Sequence, residues 1–248
     1  MRILSLIAAG GVLAIAGPVF AADDEAEWGY TGNTGPAHWG ELADKYVACK
    51  AGQMQSPIDL GEHAAVGEID VSVDWHPGPL ELFRGKTVQA NFPHGSHMTS
   101  SGRVFGLVQV HFHTPSEHTI AGEPLPLVAH FVHASHAGEL AVLGVLFEEG
   151  DDNDELQKVI DAAASAGPEA ARVDGVTLDP AGLLPDDMEV FRYMGSLTTP
   201  PCSEGVNWHV LEETMEAGAG QIAAMEELMG NNARPVQPLN GRLVIAPE

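Results

Sequence analysis

Apolar residues in this chain fall into short runs of strand length rather than long helical stripes. Residues 69–73, 87–92, 104–112, 127–134 and 140–147 are continuous or alternating apolar stretches bounded by Gly, Pro, Asn and Asp, and each predicts a β-strand. Helical spacing is rarer. Leu156, Val159, Ile160 and Ala163 define a helix over 154–166 that stops at Gly167-Pro168, and a weaker, glycine-interrupted pattern covers 212–229. No internal repeat or linker divides the chain. The pattern predicts one domain, mainly β with few short helices (α+β), built on an extended sheet.

Composition supports that picture: 28 glycines and 17 prolines supply turns, and 44% hydrophobic residues over 248 positions suffice for a sizeable core. The first residues stand apart. Met1-Arg2 is followed by an apolar run to Val19 and then by Phe20-Ala21-Ala22, which reads as a signal peptide over 1–21 and a domain over 22–248. A membrane anchor fits less well, because the run is short and broken by Gly10-Gly11 and Gly17-Pro18. The expected location is therefore periplasmic or secreted, with no membrane attachment. Cys49 and Cys202, the two cysteines, predict one disulfide in such a compartment, free thiols being the alternative.

Charge excludes some partners. Thirty-five acidic residues against 11 Lys and Arg give a net charge of −24, one unit more negative once Arg2 is removed, so nucleic acid and anionic lipid are poor partners. Such acidity reads as a solvated surface, with adaptation to a saline habitat as the sharper expectation. Oligomeric state is not legible.

The candidate chemistry lies in Val108-Gln109-Val110-His111-Phe112-His113, followed by Ala129-His130-Phe131-Val132-His133. In a strand, His111 and His113 share a face while Val110 and Phe112 point into apolar packing. If the second run pairs beside the first, His130 supplies a third nitrogen, and three histidines with an open fourth position form a catalytic rather than a structural zinc site. Spacing alone also fits a polar strand face or a hydrogen-bonded core pair.

Longer motifs narrow the choice. Gln109-Val110-His111-Phe112-His113-Thr114-Pro115-Ser116-Glu117-His118 and Ala129-His130-Phe131-Val132-His133 resemble the metal-site signature of the α-class carbonic anhydrases. Trp28-Gly29-Tyr30, Pro36-Ala37-His38-Trp39, Gln55-Ser56-Pro57-Ile58, Gly195-Ser196-Leu197-Thr198-Thr199-Pro200-Pro201-Cys202-Ser203-Glu204, Trp208 and Arg234-Pro235-Val236-Gln237-Pro238-Leu239-Asn240 resemble further family blocks in the same order, over essentially the whole of 22–248. The resemblance implies a large, mostly antiparallel twisted sheet with the active site in a conical cavity. It also implies reversible hydration of carbon dioxide to bicarbonate through zinc-bound hydroxide. Within it, His111, His113 and His130 match the Zn2+ ligands, Gln109 the partner of His111, and Thr198 the hydroxyl that donates to Glu117. Val132, Val142, Leu197, Thr199 and Trp208 match the substrate pocket, and Tyr30 a residue on the polar side. His118 and His133 match positions that look structural, while His38, His63, His76, His136 and His209 read as ordinary surface or packed residues. A non-catalytic zinc-binding or adhesion module on the same scaffold is the alternative, and it would require ligands that have been lost; all three are here.

Two positions depart from the family pattern. Val128 stands two residues before His130, where the family usually has an acidic acceptor for that imidazole, so weaker zinc retention is expected. Lys86, in Arg84-Gly85-Lys86, stands where the fastest members carry a proton-relaying histidine; His94 and His97 are candidate substitutes.

Overall fold

The computed structural model describes residues 26–61 and 65–248. The expected signal peptide over 1–21 and His63 lie outside the described residues. Helices α1 (Trp39–Leu42) and α2 (Ala48–Ala51) come first. They precede β1 (Ala65–Val66), β2 (Val71–Asp74), β3 (Gly78–Arg84), β4 (Val88–Asn91), β5 (His97–Ser100), β6 (Arg103–His113), β7 (Thr119–Ile120), β8 (Glu123–Pro124), β9 (Leu127–Ala134) and β10 (Leu140–Glu149). Helix α3 (Asp154–Ala163), β11 (Ala171–Leu178), β12 (Val190–Ser196), β13 (Glu204–Leu211), β14 (Met215–Ala217), α4 (Ala219–Met229) and β15 (Ile245–Ala246) complete the chain.

Thirteen strands form one sheet whose main path runs β1-β15-β12-β13-β10-β9-β6-β4-β3-β11, and β7 pairs with β8 separately. Most pairings are antiparallel, as expected; β1 with β15, and β10 with both β13 and β14, are parallel. The mostly apolar run of β9, broken only by His130 and His133, lies inside the sheet and is covered on both faces, which is why it lacks regular polar alternation. One face, with Phe105, Val110, Phe112, Leu127, Ala129 and Phe131, packs against the apolar sides of α3 and α4. The other, with Val128, Val132, Val142, Tyr193 and Trp208, forms a second core.

Expected strands over 87–92, 104–112, 127–134 and 140–147 correspond to β4, β6, β9 and β10, and the expected helix over 154–166 is α3. Asn153 caps α3, its side chain accepting from the Leu156 amide, while Leu156, Val159, Ile160 and Ala163 are buried. The expected helix over 212–229 is half correct. Met215–Ala217 instead adds to β10 as a strand, and the helix starts only after Gly218, whose close contact with Asp152 leaves no room for a side chain. Cys49 and Cys202 are joined in a buried disulfide, as expected. Among the described residues no helix is long and apolar enough to cross a membrane.

Candidate metal centre

His111 and His130 sit directly opposite each other in the β6–β9 ladder, and His113 follows two residues along the same face of β6. Strand pairing therefore delivers three imidazoles to one spot with no special loop. One nitrogen from each ring lies within 4.8 Å of the others, and the ring centroids are 4.9 to 5.2 Å apart. His113 and His130 are buried, whereas His111 is partly open to solvent.

Hydrogen bonds decide which nitrogens face inward. His111 Nδ1 donates to Gln109 Oε1 at 2.9 Å, and His113 Nδ1 donates to the Asn232 carbonyl at 2.8 Å, so each presents Nε2. His130 presents Nδ1, which shares the neighbourhood of Glu117 Oε2 with His113 Nε2, at 3.8 and 3.4 Å. Neither inward nitrogen, His113 Nε2 or His130 Nδ1, has a hydrogen-bond partner although both are buried. Burial, reinforced by the other imidazoles, holds the pKa of His111 and His130 well below the usual value. Three ring nitrogens converging on one point, two of them buried and unpartnered, fit a divalent cation.

A hydroxyl–carboxylate pair borders the trio. Glu117 is fully buried; its Oε1 accepts from the Arg234 amide at 2.9 Å. Burial raises its pKa, against the opposing influence of His113, the Arg234 amide and the Thr198 hydroxyl. The Thr198 hydroxyl thus faces the Glu117 carboxylate as a donor, and Glu117 Oε2 has no other protein partner. The Thr198 loop is held by the Leu197 amide on the Ser203 carbonyl at 3.0 Å and the Cys202 amide on the Thr199 carbonyl at 2.8 Å. Arg234 is itself pinned, its guanidinium donating to the Ser56 and Cys49 carbonyls at 2.7 and 3.0 Å.

An apolar wall faces the same space. Val132, Val142 and Trp208 are cross-strand neighbours on β9, β10 and β13, forming one row in register, and Leu197 packs against them. Trp208 is fixed by its indole N–H on the Ser196 carbonyl at 2.9 Å. Thr199 lies half-buried at the loop edge. Tyr30 sits in an edge-to-face cluster with Trp28 and Trp39; burial, aided by the Glu117 charge, raises its phenol pKa far above the usual value.

The candidate relays are placed differently from one another. Lys86 is exposed, its Nζ 5.0 Å from the Trp28 ring centroid, and its carbonyl accepts from Asn232, the residue that holds His113. His97 pairs opposite Gly106, roughly 17 Å along β6 from His111 at strand rise, and its Nε2 lies 4.0 Å from Asp74 Oδ2. His94 is exposed in a groove with Phe92, Val104, Val108 and His136. Only Lys86 is bonded into the surroundings of the trio. His118 and His133 are buried, as is His209, which the sequence reading left as an ordinary residue and which pairs with Ser100 Oγ at 2.8 Å. Asn232 and the role of Arg234 are additions of the structure; both arrive on an extended segment whose sequence carries no periodicity.

Comparison with known proteins agrees with this geometry. The family model described as eukaryotic-type carbonic anhydrase matches residues 34–248. A carbonic anhydrase of Nostoc sp. is 42% identical over 225 residues, covering 88% of this chain and 85% of the relative. The solved α-carbonic anhydrase of Photobacterium profundum superposes with a TM-score of 0.81 at 43% identity, over 88% of this chain and all of its own. That of Thermovibrio ammonificans, solved with the inhibitor sulfanilamide, gives 0.80 at 39% identity, covering 89% of this chain and 99% of the neighbour.

Proposed function

The chain belongs to the alpha-class carbonic anhydrase family, and on that premise we propose that it interconverts carbon dioxide and bicarbonate with a zinc ion held by His111, His113 and His130. The observation that carries the metal is the convergence of three imidazoles on one spot, with the inward nitrogens of His113 and His130 buried and unpartnered. A dication in an all-neutral ligand set keeps its full charge, and so brings the pKa of a coordinated water towards neutrality.

The chain's own residues then orient the reaction. Glu117, fixed by the Arg234 amide, accepts from Thr198; with its proton so committed, the Thr198 oxygen can only accept on its other side, which sets the direction of the attacking lone pair. Val132, Val142, Leu197 and Trp208 offer carbon dioxide an apolar surface with no polar group to bind, which positions it without trapping the product. Lys86 stands at the mouth of the site, in the place of a proton-relaying histidine. Cation contact with Trp28 keeps its side chain there, and with no imidazole at this position to pass the proton outward, external buffer speeds turnover. His94 and His97 contribute less, by position. Export is part of the same proposal and draws support from the Cys49–Cys202 bridge; cell fractionation tests it.

The deciding experiment combines metal analysis with stopped-flow hydration of carbon dioxide. About one zinc per chain, loss of activity on chelation and its return with zinc, and inhibition by a sulfonamide are expected. A chain that binds zinc but hydrates no carbon dioxide would instead be the non-catalytic module.

A further inference from the structure

Two buried ring nitrogens beside the trio lack a protein partner: His118 Nδ1 and His130 Nε2. Both rings lie against Trp208, at centroid distances of 4.7 and 4.9 Å, and are 6.1 Å from each other. Their protons can be assigned from their neighbours. With Nδ1 of His130 facing the trio, the proton of that neutral ring is on Nε2. Ser56 Oγ accepts from the Ser196 amide at 3.1 Å, and Tyr193 Oη, 2.8 Å away, takes the Ser56 hydrogen. Tyr193 in turn donates to His118 Nε2 at 2.7 Å. This ordering satisfies each hydrogen of the Ser56–Tyr193–His118 chain and leaves the His118 proton on Nδ1.

Two N–H donors therefore face the same dry interior with no acceptor between them. Val128, fully buried on the same face of β9 as His130, has only methyl groups to offer. A direct ring-to-ring hydrogen bond is excluded, since both groups are donors and neither nitrogen has a protein partner. One oxygen atom accepting from both satisfies both.

We propose that a buried water is held between His118 Nδ1–H and His130 Nε2–H, which makes His118 a positioning residue for the metal ligand His130. The Ser56–Tyr193 hydroxyls fix His118, His118 fixes the water, and the water fixes the His130 ring. The inference rests on the zinc reading of the trio. A neutral water accepts more weakly than a carboxylate, so His130 is a poorer electron donor to the ion and zinc leaves faster than it would with an acidic neighbour.

The test begins with the wild-type, zinc-loaded protein. Nitrogen-15 spectra should show His118 protonated on Nδ1 and His130 on Nε2, and a crystal structure should show one water within hydrogen-bond distance of both. Val128→Glu, which supplies the acceptor covalently, should slow zinc loss to a chelator by about tenfold or more, whereas Val128→Met, long but without an acceptor, should not. His118 protonated on Nε2, an empty gap between the rings, or a folded Val128→Glu protein that releases zinc at the wild-type rate overturns the proposal. The wild-type spectrum and structure decide alone if Val128→Glu does not fold. A wild-type chain that takes up no zinc overturns the metal reading instead, and the His118 tautomer is still readable in that protein.

Discussion

Thr198 and Glu117 should be the most sensitive single residues, because they act on the direction of one lone pair and not on metal binding. Glu117→Gln keeps the shape but turns an obligate acceptor into a group that can also donate, so kcat should fall by about 100-fold or more, with zinc content unchanged by metal analysis. Gln109→Ala removes the acceptor of His111 Nδ1; here zinc affinity should drop by about 10–100-fold, read by competition with a chromophoric chelator. Lys86→His places an imidazole near pKa 6.5 at the mouth, and turnover in dilute buffer should rise while the response to added buffer shrinks. The residues with these roles were mostly legible in the sequence. His111, His113, Glu117 and Thr198 belong to contiguous motifs, and His130 is fixed by strand pairing. Asn232 and Arg234 were not legible as site-holders, since what they contribute is a backbone carbonyl oxygen and a backbone amide hydrogen, which any residue but proline supplies.

At the scale of elements, the site is a property of three neighbouring strands. β9 and β10 were readable because burial on both faces leaves mostly apolar runs, interrupted in β9 only by His130 and His133, and β6 because its alternation survives on one face. β12 and β13 were not proposed as strands: Arg192, Met194 and Asn207 interrupt the pattern, and only tertiary packing explains them, Arg192 Nη2 donating to Asn207 Oδ1 at 2.9 Å across the pair. The 212–229 pattern misled because it averages a strand, a glycine turn and a helix. Gly195, within β12, marks where β12 meets the site: a Cβ there would lie 2.1 Å from Ser56 Oγ and 2.8 Å from the Trp208 ring. Gly195→Ala should cost about 1–3 kcal/mol by overpacking, measured as a lower urea midpoint, and should weaken the Ser56–Tyr193 contact. An unchanged midpoint would mean that the strand shifts freely.

Across the whole molecule, buried histidines set the response to acid. Burial pulls His133 down to about 3 and His209 to about 4. Both then stay neutral in the folded state while the unfolded chain takes up protons below about 6.5. Stability is therefore unaffected by these rings above neutrality and is lost as pH falls, on the order of 2 kcal/mol per ring at pH 5. Carboxylates remain largely ionised at that pH, so relief of repulsion does not offset the loss, and the urea midpoint should be lower at pH 5 than at pH 7. A net charge of −24 makes the opposite variable, salt, stabilising; a midpoint that does not rise with sodium chloride removes the saline reading. Topology adds a consequence for assembly. The three imidazoles come from two paired strands a short stretch apart in sequence, whereas the amide that orients Glu117 arrives from residue 234, near the end of the chain. A refolding molecule should thus capture its ion early and acquire turnover late, when the last segment docks, so that ion uptake and catalytic competence emerge as two separate kinetic events.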